Sequence, residues 1–116
     1  VSSGIEEVVV GATKRNLVVQ IVDENSNPID LQGGSVKLQG KSSDLPSVTI
    51  DVSGTLTSPA SGIATFFSIG TLVTSANLSE AGITEATFRL RVKYTDSQPK
   101  FDYGDEFQIK WVQTPV

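Results

Sequence analysis

The sequence has no cysteine, no histidine and no methionine among its 116 residues. Without cysteine there is no disulfide, no thiolate nucleophile and no zinc–sulfur site. Without histidine the usual general base at neutral pH is missing, and so is the commonest metal ligand. Long apolar runs are missing too. None approaches the roughly 18–20 residues that span a bilayer, so no membrane segment is expected. Nor is basic charge in excess. The formal net charge is −4 and the pI about 4.6, which argues against non-specific nucleic-acid binding, since that needs a basic face to displace counterions. The opening Val1-Ser2-Ser3-Gly4 has neither a basic start nor an apolar h-region, so no secretory signal is expected there.

What is present suits one globular domain. At 38% hydrophobic and 19% charged residues, the chain is too apolar to be disordered and too polar to sit in lipid. A chain of this length can bury roughly two thirds of its unfolded surface and needs no metal or crosslink to fold. No composition shift, linker or repeat marks a second domain. Residues 1–116 are therefore read as a single domain, with Val1–Gly4 and Gln113–Val116 as extended tails.

The hydrophobic pattern has period two almost throughout. From Glu85 to Tyr94, Ala86, Phe88, Leu90, Val92 and Tyr94 share one face, while Thr87, Arg89, Arg91 and Lys93 share the other. Such strict alternation marks a half-buried strand. Val48, Ile50 and Val52 repeat it, as do Val36 with Leu38, and Phe107, Ile109 and Trp111. Val8–Val10, Leu17–Val22 and Ile63–Ile69 are more continuously apolar and rich in β-branched residues. Together these predict about seven strands. Turn formers separate them at Asp23–Pro28, Gly33-Gly34, Gly40–Asp44, Ser58–Gly62 and Asp96–Pro99. Short strands at this spacing predict an antiparallel β-sandwich of the Ig-like kind. Gly70–Ile83 breaks the rhythm. There Asn77 and Glu80 have capping-box spacing and Gly82 is a stop signal, so one helical turn is expected.

Each candidate site also has a structural reading. Asp23-x-Asn25-x-Asn27 matches the opening of a calcium loop. The sixth position, which needs glycine, is Pro28, and the twelfth, which needs glutamate, is Gly34. An Asx-rich hairpin turn is the favoured reading, and no metal is expected. Asp102, Asp105 and Glu106 could in principle serve a glycosidase, but they read as a solvated acidic hairpin around Gly104. No Gly-x-Ser-x-Gly elbow, Gly-x-Gly-x-x-Gly or phosphate loop occurs, so no catalytic residue and no cofactor is assigned. Two features remain as a candidate protein interface. One is the basic stripe Arg89, Arg91 and Lys93, which either keeps a sheet face soluble or docks an acidic partner. The other is surplus apolar surface. Phe66 and Phe67 are adjacent and must point to opposite faces of a strand, and Val18 beside Val19 poses the same problem.

The stretch Leu17–Leu38 resembles the opening of a domain family found in bacteriophage tail and baseplate proteins. That family has an apolar strand, then Asp-x-Asn-x-Asn-Pro, an apolar residue, Asp-Leu-x-Gly and a second strand. The counterparts are Asp23, Asn25, Asn27, Pro28, Ile29, Asp30, Leu31 and Gly33. Further matching pieces are Gly62-Ile63-Ala64, Leu78–Gly82 and Tyr94-Thr95-Asp96. Serine stands at Ser26 and Ser97, where the family usually or often has glycine. Bacterial cell-surface Ig-like repeats share the Asn-x-Asn-Pro hairpin, and Asp30-Leu31-Gln32-Gly33 tilts the resemblance towards the phage family. The resemblance implies an Ig-like sandwich that builds or anchors part of a virion, in contact with other virion proteins; from the charge and the short apolar runs, neither nucleic acid nor membrane is expected as a partner. It implies no catalytic residues. A carbohydrate-binding or adhesin module, with Phe101 and Tyr103 as aromatic platforms, is the alternative.

Overall fold

The computed structural model describes residues 6–98 and 100–113. Among them are nine strands: β1 (Glu6–Val9), β2 (Leu17–Gln20), β3 (Ser35–Lys41), β4 (Thr49–Ser53), β5 (Thr55–Ser58), β6 (Ile63–Phe66), β7 (Glu85–Thr95), β8 (Phe101–Tyr103) and β9 (Phe107–Val112). One helix, α1 (Ser75–Ala81), and two 3₁₀ turns, Pro59–Ser61 and Ile69–Leu72, complete the order. The seven strands expected from the hydrophobic pattern are all there. The two additional ones are short. β5 follows β4 after the single residue Gly54, and β8 precedes β9 across the break at residues 104–106.

Two sheets form an Ig-like sandwich. The larger has the order β1-β9-β7-β3-β4, with β8 also on β7; the smaller is β2-β6-β5. All pairings are antiparallel except β1 with β9, where Val8 lies beside Trp111. Gly54 is where the chain leaves one sheet for the other. The Phe66 ring lies so close that a Cβ on Gly54 would meet it at 2.6 Å. Only glycine lets that ring fill the corner.

The core comes from the inward halves of the alternating strands. Val36, Leu38, Ile50, Ala86, Phe88, Leu90, Val92, Ile109 and Trp111 are all buried. Trp111 and Phe88 meet edge to face at 5.2 Å, and the indole N–H donates to the Ile69 carbonyl at 2.9 Å. That bond satisfies the polar atom of the largest buried side chain and ties β9 to the connection before α1.

The helical turn is present, but its cap sits three residues earlier than expected. Thr74 is the N-cap and Asn77 is its reciprocal partner: Asn77 N–H donates to Thr74 Oγ1 and Thr74 N–H to Asn77 Oδ1. Gly82 ends the helix in the left-handed region at φ 70°. Of the expected tails, residues 1–4 and 114–116 lie outside the described residues. Gln113 is not free, since its N–H donates to the Thr84 carbonyl.

Candidate functional site

Alternation on β7 turns Ala86, Phe88, Leu90 and Val92 inward, so Arg89, Arg91 and Lys93 point outward as expected. Alternation on β3 does the same for Lys37, Gln39 and Lys41, because Val36 and Leu38 are core residues. The register then places Lys37 opposite Lys93, Gln39 opposite Arg91, and Lys41 opposite Arg89. Five cations form a grid two strands wide. Strand geometry spaces the positions by about 6.6 Å along each strand and about 4.8 Å between strands.

Lys37, Lys41, Arg89, Arg91 and Lys93 have no ion-pair partner among the described residues. Asp51 on β4 approaches the grid through Gln39, whose Nε2 donates to it at 3.4 Å. Lys93 instead lies over the Phe101 ring, 4.5 Å from its centre, where the ring face attracts the ammonium. Phe101 and Tyr103 are exposed and meet edge-on at 6.2 Å.

Three cations of the grid, Lys41, Arg89 and Arg91, line an open groove of about 850 Å³ together with the carboxylates Asp44, Asp51 and Glu106, and Tyr103 borders it. The Asp44 rim is fixed by backbone bonds. Its carboxylate accepts the Thr87 N–H at 3.0 Å, and its own N–H donates to Ser42 Oγ at 3.0 Å. Around the corner, a hollow of about 520 Å³ gathers Asp23, Glu24, Asp105 and Glu106 beside Tyr94. Burial pushes the Tyr94 phenol above its ordinary pKa, and the neighbouring Asp102 carboxylate pushes it further. Groove and acidic hollow share Tyr103 and Glu106 on their borders.

Asp23 serves the turn. Its Oδ1 accepts the N–H groups of Asn25 and Asn27 at 2.8 and 2.9 Å, while its own N–H donates to the Asn27 carbonyl. Asp96 repeats this device with Gln98 and Lys100. Both resemblance motifs, at Asp23 and at Tyr94-Thr95-Asp96, thus rest on an aspartate that closes a five-residue turn onto itself.

The outer face of the smaller sheet is chemically opposite. Val18, Gln20, Thr55, Thr57, Ile63 and Thr65 project there without a charge. Val18 is 63% exposed and Phe67, just past β6, is 57% exposed. Phe66 requires a correction. It is 2% exposed and belongs to the core against Gly54, so it is not an interface residue. Of the adjacent pair, Phe67 alone faces outward. Trp111 is wholly buried, which leaves Phe101 and Tyr103 as exposed aromatics of the alternative reading.

Lys37 and Lys41 extend the site beyond the three basic residues found by alternation. Their own period-two spacing was a usable signal; the pairing of β3 with β7, which doubles the stripe, was not. No family model matches the chain, and no curated protein matches it in sequence.

Proposed function

We propose that this chain is a structural protein of a bacteriophage virion, a tail, baseplate or capsid-exterior component that works through protein–protein contacts. The observation that carries the reading is the contrast between the two outer sheet faces. One is a cationic grid; the other is uncharged and exposes Val18 near Phe67. A sandwich offering two docking chemistries on rigid strands suits a repeated building block. Symmetric repetition turns weak contacts into avidity. The phage context rests on the resemblance of Leu17–Leu38 and its downstream pieces, whose key residues shape turns. On this reading the protein is not an enzyme and needs no cofactor. Its partners are other virion proteins rather than nucleic acid or membrane, and it is assembled in the host cytoplasm.

Mass spectrometry of purified particles from cells producing the protein tests this. The chain is expected in many copies per particle. Val18→Ser and Phe67→Ser are expected to reduce incorporation without lowering thermal stability. Particles that lack the chain overturn the proposal.

The exposed Phe101–Tyr103 pair beside the groove supports a second reading, a carbohydrate-binding or adhesin module. Glycan-array binding that disappears in Tyr103→Ala and Phe101→Ala would favour it over the first.

A further inference from the structure

We propose that the open edge of β2 takes up one extended segment of another polypeptide as an added strand, and that this segment carries lysine or arginine at its N-terminal end. The inference deepens the assembly reading and rests on its protein–protein contacts, but not on the virion.

The edge itself is the first reason. β2 ends the smaller sheet, and among the described residues no strand lies on its other side. On the β6 side the Ile21 N–H donates to the Gly62 carbonyl. Backbone groups of an antiparallel strand alternate in direction, so Val18, Gln20 and Val22 turn theirs to the open side. All three residues are exposed. The other sheet ends are guarded against a further strand. Glu7 stands on β1 and Asp51 on β4, while β5 shifts register between Leu56 and Ser58 and runs into Pro59. From Leu17 to Val22 there is neither charge nor proline, and β2 pairs with β6 without a register shift. An edge of this kind accepts an extended peptide through main-chain hydrogen bonds.

Space is the second reason. β5 lies against β3, so, counting along both sheets, β9 underlies β2 and β1 lies one strand beyond it. A lane one strand wide runs beside β2 above that overhang. A second copy pairing β2 to β2 about a two-fold axis would drive its own β1 into the first copy's β9. A lone segment avoids that collision.

Charge is the third reason. The hollow at the Val22 end of the lane is lined by Asp23, Glu24, Asp105 and Glu106 and by no lysine or arginine. No β5 or β6 residue lines it, so it opens on the free side of β2. Val92 and Phe107 give it an apolar part for the segment's inward side chains. Lys14 and Arg15 precede β2 at the opposite end. An antiparallel segment therefore sets a basic N-terminal end among the four carboxylates and its C-terminal end near Lys14 and Arg15.

The test uses the purified chain and a short labelled peptide, two lysines followed by alternating valine and threonine. Fluorescence anisotropy is expected to show binding to wild type. Glutamates in place of the lysines are expected to weaken it at least about tenfold. Gln20→Pro removes one open N–H and is expected to weaken binding about tenfold, whereas Gln20→Ala keeps that N–H and binds as wild type does. Proline is tolerated on a free edge, and circular dichroism confirms the fold. Should Gln20→Pro not fold, a peptide N-methylated throughout, expected not to bind, carries the same comparison. In amide exchange followed by NMR, Val18, Gln20 and Val22 are expected to exchange fast in the free chain and at least about tenfold more slowly with peptide, while Val19 is protected throughout. A lysine peptide that does not bind overturns the proposal, as does equal binding of the glutamate or N-methylated peptide, or by folded Gln20→Pro. Slow exchange at the three amides in the free monomer also overturns it, because the edge would then be covered within the chain. A dimer that protects them overturns it in favour of a second copy. Particle incorporation is read separately, so either idea can fail without the other.

Discussion

Lys41 on β3 stands directly opposite Arg89 on β7, and neither has an ion-pair partner among the described residues. Like charges directly across a ladder destabilise it by about 0.2–1 kcal/mol. The arrangement persists although a carboxylate at either position would remove the repulsion. Lys41→Glu is therefore expected to stabilise the isolated domain by about 0.5 kcal/mol. Wild type is expected to gain stability with added salt, whereas the variant gains less. Urea denaturation at low and high salt checks both. A variant no more stable than wild type at low salt would mean that the two side chains splay apart and do not repel.

Ser26 holds a left-handed backbone at φ 65° inside the turn that Asp23 organises. A side chain in that region costs about 1–2 kcal/mol, part of which glycine returns through its freer unfolded chain. Ser26→Gly is expected to raise stability by about 0.5–1 kcal/mol. Ser97 has no left-handed backbone, so Ser97→Gly is expected to be neutral or slightly destabilising. Thermal melting of the two variants side by side decides it. Equal shifts would show that backbone strain is not what separates the positions.

The Ser26 turn also shows how far the sequence could be read. Strands, their inward residues and the Asp23 turn were legible, because alternation and Asx chemistry are local. Asn77 suits either end of a capping box, and only the chain path makes Thr74 the cap and Asn77 its partner. The sites were legible in halves. Arg89, Arg91 and Lys93 were visible as one stripe. Their doubling by Lys37 and Lys41, and the approach of Asp23 and Glu24 to Asp105 and Glu106, depend on pairings between distant segments. Local periodicity carries no information about those. Phe66 and Phe67 show the same limit: alternation demanded opposite faces, but which ring entered the core was decided by Gly54.

That choice makes the pair a sharp comparison. Phe66 is buried against Gly54, and truncating such a ring leaves a cavity as well as losing its transfer free energy. Phe66→Ala is expected to destabilise by about 3–5 kcal/mol. Phe67 is largely exposed, and Phe67→Ala is expected to stay within about 0.5 kcal/mol of wild type. Guanidinium titrations of both variants test the assignment. A Phe67 variant as unstable as the Phe66 one would mean that its ring is covered within the monomer.

Tyr94 gives the fold a pH response on the alkaline side. Burial first, and Asp102 second, raise its pKa above the ordinary value. The unfolded chain releases the phenolic proton near pH 10, whereas the folded chain holds it to higher pH. Between those two points the folded state binds more protons, so stability falls as pH rises. The contribution is fully present below about pH 10 and is lost as pH passes the folded value. The informative quantity is the difference from Tyr94→Phe, which is expected to lose stability less steeply over the same range. Asp102→Asn is expected to lower the Tyr94 pKa only in part, because burial is the larger cause. Tyrosinate difference absorbance in a Tyr103→Phe background isolates the Tyr94 signal. Recovery of the ordinary pKa on removing Asp102 alone would show that charge, and not burial, governs this corner of the acidic hollow.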